Sequence, residues 1–180
     1  MTPSYALVID NKGNGIGMHR WEDSGTMVLG PNEIECTEAQ AQNPMAYQVV
    51  NGVLVESLTF AKSAQIALLQ SAYQTAMNAP VSFKNSAGVT STYPSGNTIL
   101  TNGMKARDML TEVIAAGSSA WTLGKWLDTN NVAQTFTFAD LQGLATAMEA
   151  AITLDWTDLV TKIAEVNAAT TVADVQAITF

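Results

Sequence analysis

One cysteine, Cys36, one histidine, His19, and eight basic residues in 180 narrow what this chain can do. A lone cysteine excludes an intramolecular disulfide and any zinc site built on several thiolates. Lys12, Arg20, Lys62, Lys84, Lys105, Arg107, Lys125 and Lys162 are scattered, and sixteen acidic residues leave a net charge of −8. Phosphate-binding surfaces need clustered Lys and Arg, so DNA, RNA and anionic membranes are not expected partners. No apolar run approaches the roughly 18 residues of a membrane span, so no membrane insertion is expected. The opening MTPSYALVID lacks a basic segment followed by a long apolar one. A secretory signal is therefore not expected, and synthesis in a cytoplasm is.

Charge of either sign is sparse, at 13% against about 25% in ordinary soluble proteins. The surface must rely on Thr, Ser, Asn and Gln, a neutral exterior suited to packing against other copies. A homo-oligomer is the expectation. Hydrophobic residues, at 47%, are ample for a core.

The patterning predicts an α+β fold: a small β-rich N-terminal unit over 1–57, serving attachment or interaction, then a mainly helical domain over 58–180 with one or two β-hairpins. Tyr5 to Ile9 reads as a strand ending at the turn Asp10-Asn-Lys-Gly13. A second short strand is expected over Thr26 to Leu29. Thr37-x-x-Gln40 has the form of a capping box for a short helix before Pro44. Tyr47 to Val50 and Val53 to Val55 flank Asn51-Gly52, whose tolerance of positive φ makes it the strongest hairpin signal present.

Beyond Leu58, Ile66, Leu69, Tyr73 and Met77 recur at helical spacing up to Pro80. A hairpin follows across Lys84 to Gly88, then a helix from about Thr98 to Ala116 that Gly117 would stop. Thr137-x-x-Asp140 caps a helix facing the core with Leu141, Leu144, Ala145, Met148 and Ile152. Asp155 is expected to start another, and Thr171-x-x-Asp174 a short final one.

Chemistry-bearing patterns are weak. A Cys36–His19 pair would need the fold to join them and a third group to orient the histidine. Gly13-Asn-Gly15-Ile-Gly17 departs from a dinucleotide fingerprint at Met18, and Arg20 to Gly25 read as further loop, so a glycine-rich hairpin is the better account. Read as a calcium loop from Asp10, the same stretch places Lys12 and Trp21 where ligands belong. Glu33 and Glu35 alternate along an extended stretch and are expected to face solvent. Trp121, Trp126, Phe136, Phe138 and Trp156 are expected in the core, as are the dispersed methionines such as Met18, Met45 and Met148. Trp21 is the best exposed aromatic, and it or Trp121 is the candidate for stacking on a sugar. No catalytic residue, metal ligand or cofactor site is assigned. Tyr47, Val50, Val53 and Val55 are candidate partner-binding residues, because a hairpin edge can add to another sheet.

Trp126-Leu-Asp-Thr-Asn-Asn131, followed by Thr135-Phe-Thr-Phe-Ala-Asp-Leu141, resembles the domain of unknown function 4376 of bacteriophage tail-fibre and tail-fibre-assembly proteins. In that family a Trp, a short Asn-containing turn and a Thr-x-x-Asp-Leu helix start recur. The matching residues are Trp126, Asn130, Asn131, Thr137, Asp140 and Leu141. The likeness extends over about 60–180, through the Val81-Ser-Phe83 hairpin and the closing helices. Val132-Ala-Gln134 and Gly103 depart from the pattern. The resemblance implies a non-enzymatic component of the tail-fibre apparatus, located in the virion tail and bound to tail or fibre proteins. It also admits an assembly chaperone absent from the mature particle. A module binding host-surface glycan is the further alternative. The family carries no catalytic residues to transfer.

Overall fold

A computed structural model describes residues 3–21, 28–100 and 102–180. The fold is α+β: small antiparallel sheets, and helices that dominate the C-terminal half. It divides into two compact units, residues 1–68 with 163–179, and 69–162 with 180. The expected boundary at residue 57 coincides with a helix start, whereas the division between the units falls further along that helix.

The first unit is built on β1 (Ser4–Ile9), β2 (Gly15–Trp21) and β3 (Glu33–Cys36), in the order β2-β1-β3. Tyr5, Ala6 and Leu7 of β1 are all buried, as the central position of an apolar strand requires. β2 is longer than the sequence suggested, because Arg20 and Trp21 pair with Tyr5 and Ser4 instead of looping. Polar and glycine-rich composition hides such a strand, whose stability comes from its neighbours. Gly15 is required there: a Cβ would lie 2.1 Å from the Pro44 carbonyl oxygen.

Thr26 and Met27, part of the expected second strand, lie outside the described residues; Val28 and Leu29 are in no strand. The capping box closes α1 (Glu38–Ala41), and a 3₁₀ turn at Pro44–Ala46 leads into the hairpin β4 (Tyr47–Val50) and β5 (Val53–Glu56). Asn51 and Gly52 take φ of 50° and 77°, the left-handed pair that a type I′ turn needs. Then α2 (Leu58–Met77) begins, with Ser57 Oγ accepting the Phe60 N–H.

The second unit holds two more hairpins, β6 (Val81–Lys84) with β7 (Thr90–Tyr93), and β8 (Lys125–Leu127) with β9 (Ala133–Thr135). Between them lies α3 (Ala106–Ala116). It starts later than expected. Leu100 donates to the Met104 carbonyl, Gly103 takes φ of 80°, and Ile99 bridges to Lys105, so a tight turn replaces the first helical turns.

α4 (Phe138–Ala168) is one helix of 31 residues, with Asp155 inside it. No Gly or Pro interrupts it after Gly143, and an Asp marks a helix start only where the backbone has already left the helix. α5 (Val172–Ala177) closes the chain, Thr171 Oγ1 accepting the Asp174 N–H.

The core of this unit joins Tyr93, Leu110, Trp126, Phe136, Leu141, Leu144 and Met148. Burying each large apolar side chain contributes about 1.5–3 kcal/mol. Trp126 and Phe136 sit inside as expected, and Trp121 and Phe138 pack against them. Trp156 does not. It is 54% exposed, touching only the Tyr73 ring edge-on among aromatics. Met148 is buried, but Met18 and Met45 are exposed, so the methionines are not uniformly core. Met18 alternates outward along β2, and Met45 lies in the 3₁₀ turn.

Candidate functional site

Two carboxylates organise the stretch from Trp121 to Leu144. Asp128, buried at the end of β8, accepts the Asn130 and Val132 N–H groups on Oδ1, each at 2.9 Å. Its Oδ2 takes Gln134 Nε2 at 3.0 Å and Ser91 Oγ at 2.9 Å. A short carboxylate folding back on its own turn is what an Asx sequence provides. The Val132 backbone N–H, aided by Gln134, Ser91 and Asn130, holds this carboxyl below the usual range against the opposing effect of burial. Asn131 completes the turn at φ of 60°.

Asp140 works the same way one turn into α4. Its Oδ2 accepts Thr137 N–H at 2.7 Å, Thr137 Oγ1 at 2.8 Å and Ser86 Oγ at 2.7 Å, and Oδ1 accepts Ser86 N–H at 2.8 Å. The Asp140 N–H returns to Thr137 Oγ1. The helix cap is thereby tied to the β6–β7 turn. Burial alone would raise this carboxyl, but the bonds from Thr137 and Ser86 outweigh it and the pKa is lowered. Asn85 adds a second tie, its Nδ2 donating to the Thr135 carbonyl at 2.9 Å. Trp121 Nε1 donates to the Phe136 carbonyl at 2.9 Å.

Outside this scaffold lies a mainly apolar cavity of about 360 Å³. Its walls run along Lys125–Thr129 and Asn131, with Pro94, Ile99 and Met109 among the residues opposite. Ile99 and Leu123 at its margin are more than half exposed. A mostly apolar hollow with a few polar groups at its edge is the form of a binding groove.

The sequence-derived candidates divide between the units. Trp126, Asn130, Asn131, Thr137, Asp140 and Leu141 come together in the second: Trp126 and Leu141 are buried, Thr137 and Asp140 cap α4, and the two asparagines form the turn. Tyr47, Val50, Val53 and Val55 lie on the β4–β5 hairpin of the first, with Val50 and Val53 exposed. Trp21 is not in a loop: it ends β2, half-buried, with its ring edge-on to His19 at 5.8 Å. Asp128, Asn85, Ser86 and the groove residues Ile99 and Met109 were not singled out from sequence. The D-x-N spacing of Asp128 and Asn130 was the one available signal.

The weaker patterns resolve structurally. His19 lies opposite Ala6 and Cys36 opposite Tyr5, so alternation points the two side chains to opposite faces of the sheet. Burial pushes the Cys36 thiol up. Glu33 does not face solvent: it pairs with His19 Nδ1 and accepts the Gly30 N–H, its side chain only 11% exposed. Asp10 is occupied by Asn14 and Lys12, and the Asn14 amide in particular lowers its pKa. Among the described residues, no cluster of His, Cys, Asp or Glu is placed to hold a metal ion, and no helix is long and apolar enough to cross a membrane. No protein-family model, curated protein or solved structure matches the chain.

Proposed function

We propose that this chain is a non-enzymatic component of the bacteriophage tail-fibre apparatus, residing in the virion tail and acting through protein–protein contacts. One observation carries the reading. The front of the stretch behind the family resemblance, Trp126 to Asn131, lines the apolar groove, and the hydrogen bonds of Asp128 and Asp140 brace that stretch and the helix start that follows it. A signature spent on shaping a groove suits a docking module. Asp128 and Asp140 each accept four hydrogen bonds from within the chain, which is consistent with this. Mass spectrometry of purified particles tests it: the protein is expected at a stoichiometry matching tail symmetry. Detection only in the lysate of infected cells would refute it.

The exposed Val50 and Val53 on a small hairpin favour a second reading, an assembly chaperone that binds the fibre and leaves. Co-expression separates the two. A chaperone raises the yield of soluble fibre, and a purely structural component leaves it unchanged.

A further inference from the structure

Among the strand edges that no neighbouring strand covers in the described residues, one on β8 and one on β5 match each other. In the β8–β9 pair, Phe136 N–H bonds to the Gly124 carbonyl and Asp128 N–H to the Val132 carbonyl. Bonded pairs alternate along an antiparallel ladder, so Lys125 and Leu127 turn their N–H and C=O groups away from β9. Among the described residues nothing bonds to those groups, while Thr129, the next outward residue, gives its N–H to the Thr92 carbonyl of β7, and the 360 Å³ cavity lies along Lys125–Leu127.

In the β4–β5 pair, Ser57 N–H bonds to the Ala46 carbonyl, which by the same alternation turns Leu54 and Glu56 outward on β5. The opposite edge of that hairpin is closed, since Val49 N–H bonds to the Gly13 carbonyl at 2.7 Å and Gln48 bridges to Asn14.

Each open edge therefore offers two residues, spaced two apart. Antiparallel pairing of β5 with β8 can set Lys125 opposite Glu56 and Leu127 opposite Leu54, charge against charge and apolar against apolar. The other pairings of these two edges are mismatched. Pairing β8 with itself opposes Lys125 to Leu127, pairing β5 with itself opposes Leu54 to Glu56, and parallel pairing sets Lys125 beside Leu54. Neither Lys125 nor Glu56 has an ion pair among the described residues. Among the described residues β5 pairs in a sheet only with β4, and β8 only with β9.

We infer that β5 of one copy adds to the free edge of β8 in a second copy, with Glu56 meeting Lys125. The two surfaces differ, so the contact is head-to-tail and closes into a ring or extends as a filament. Exposed edges of this kind pair readily when nothing covers them. The inference does not depend on the tail-fibre reading.

Sedimentation velocity on the full chain, over about a hundredfold range of concentration, tests it. The unmodified protein self-associates. Lys125→Glu and Glu56→Lys, each at an exposed position, weaken that association about tenfold by placing like charges opposite one another. Mixing the two variants restores it, because Glu at position 125 then faces Lys at position 56, and a misfolded variant could not be rescued this way. A monomer at every concentration overturns the inference. So does association indifferent to both substitutions, or weakening that mixing fails to reverse.

Discussion

Replacing Asp140 with alanine strikes the point where the α4 cap and the β6–β7 turn are joined. Four hydrogen bonds converge on this carboxylate, two from Thr137 and two from Ser86. The substitution leaves two backbone N–H groups, of Thr137 and Ser86, without acceptors in a part-buried setting. Losing a capping side chain costs about 1 kcal/mol, and stranding donors that had a charged partner costs about 1.5–3 kcal/mol. These contributions overlap, so a loss of about 3 kcal/mol is expected. For a chain of this size that lowers Tm by about 6–12 °C. Differential scanning calorimetry at neutral pH reads it directly. Asp140→Asn keeps one acceptor oxygen and should lose about half as much.

The dependence on pH provides an internal check. The folded pKa of Asp140 is lowered, so its contribution is complete above the unfolded carboxylate value of about 4 and disappears as pH falls through the folded pKa. The gap in Tm between the parent and Asp140→Ala should therefore close below about pH 4. A neutral-pH loss under about 1 kcal/mol, or a gap that persists in acid, would refute the role given to this carboxylate.

Tyr93→Phe should raise stability by up to about 1 kcal/mol in urea denaturation, because the Tyr93 hydroxyl is buried without a hydrogen-bond partner. Gly15→Ala should cost at least about 2 kcal/mol, since its Cβ would fall 2.1 Å from the Pro44 carbonyl oxygen and backbone must shift; circular dichroism melting checks this. Leu144→Ala, at a fully buried position, should cost about 2–5 kcal/mol by the same measurement. Asp128→Asn should flatten the acid limb of the stability profile below about pH 4, because the lowered pKa of Asp128 gives the same sign as that of Asp140.

What the sequence made legible follows from the range of the forces involved. The capping box at Thr37, the N-cap at Thr171 and the Asn51-Gly52 hairpin were readable because a few adjacent residues decide them. The Arg20-Trp21 end of β2 was missed because its pairing with β1 lies beyond any local window. The single helix through Asp155 was missed for the converse reason: a local cap signal is silent when the surrounding residues already favour helix. The groove was the least legible feature. Its walls come from segments some thirty residues apart, and only one of them, Trp126 to Asn131, carried a pattern.

The first compact unit is assembled from chain ends that are far apart in sequence. Lys62 Nζ reaches the Asn167 carbonyl across 105 positions, and Gln65 Nε2 reaches the Ile178 carbonyl across 113. The second unit is nearly contiguous. Loop-closure entropy then orders the events of folding: residues 69–162 can complete their core while the first unit still waits for its late-synthesised segment. The first turns of α2 spend that interval without the Asn167 and Ile178 carbonyls to which Lys62 and Gln65 donate. Pulse-labelled hydrogen exchange during refolding should accordingly protect α3 amides before those of α5, and the reverse order would show that the ends of the chain meet first.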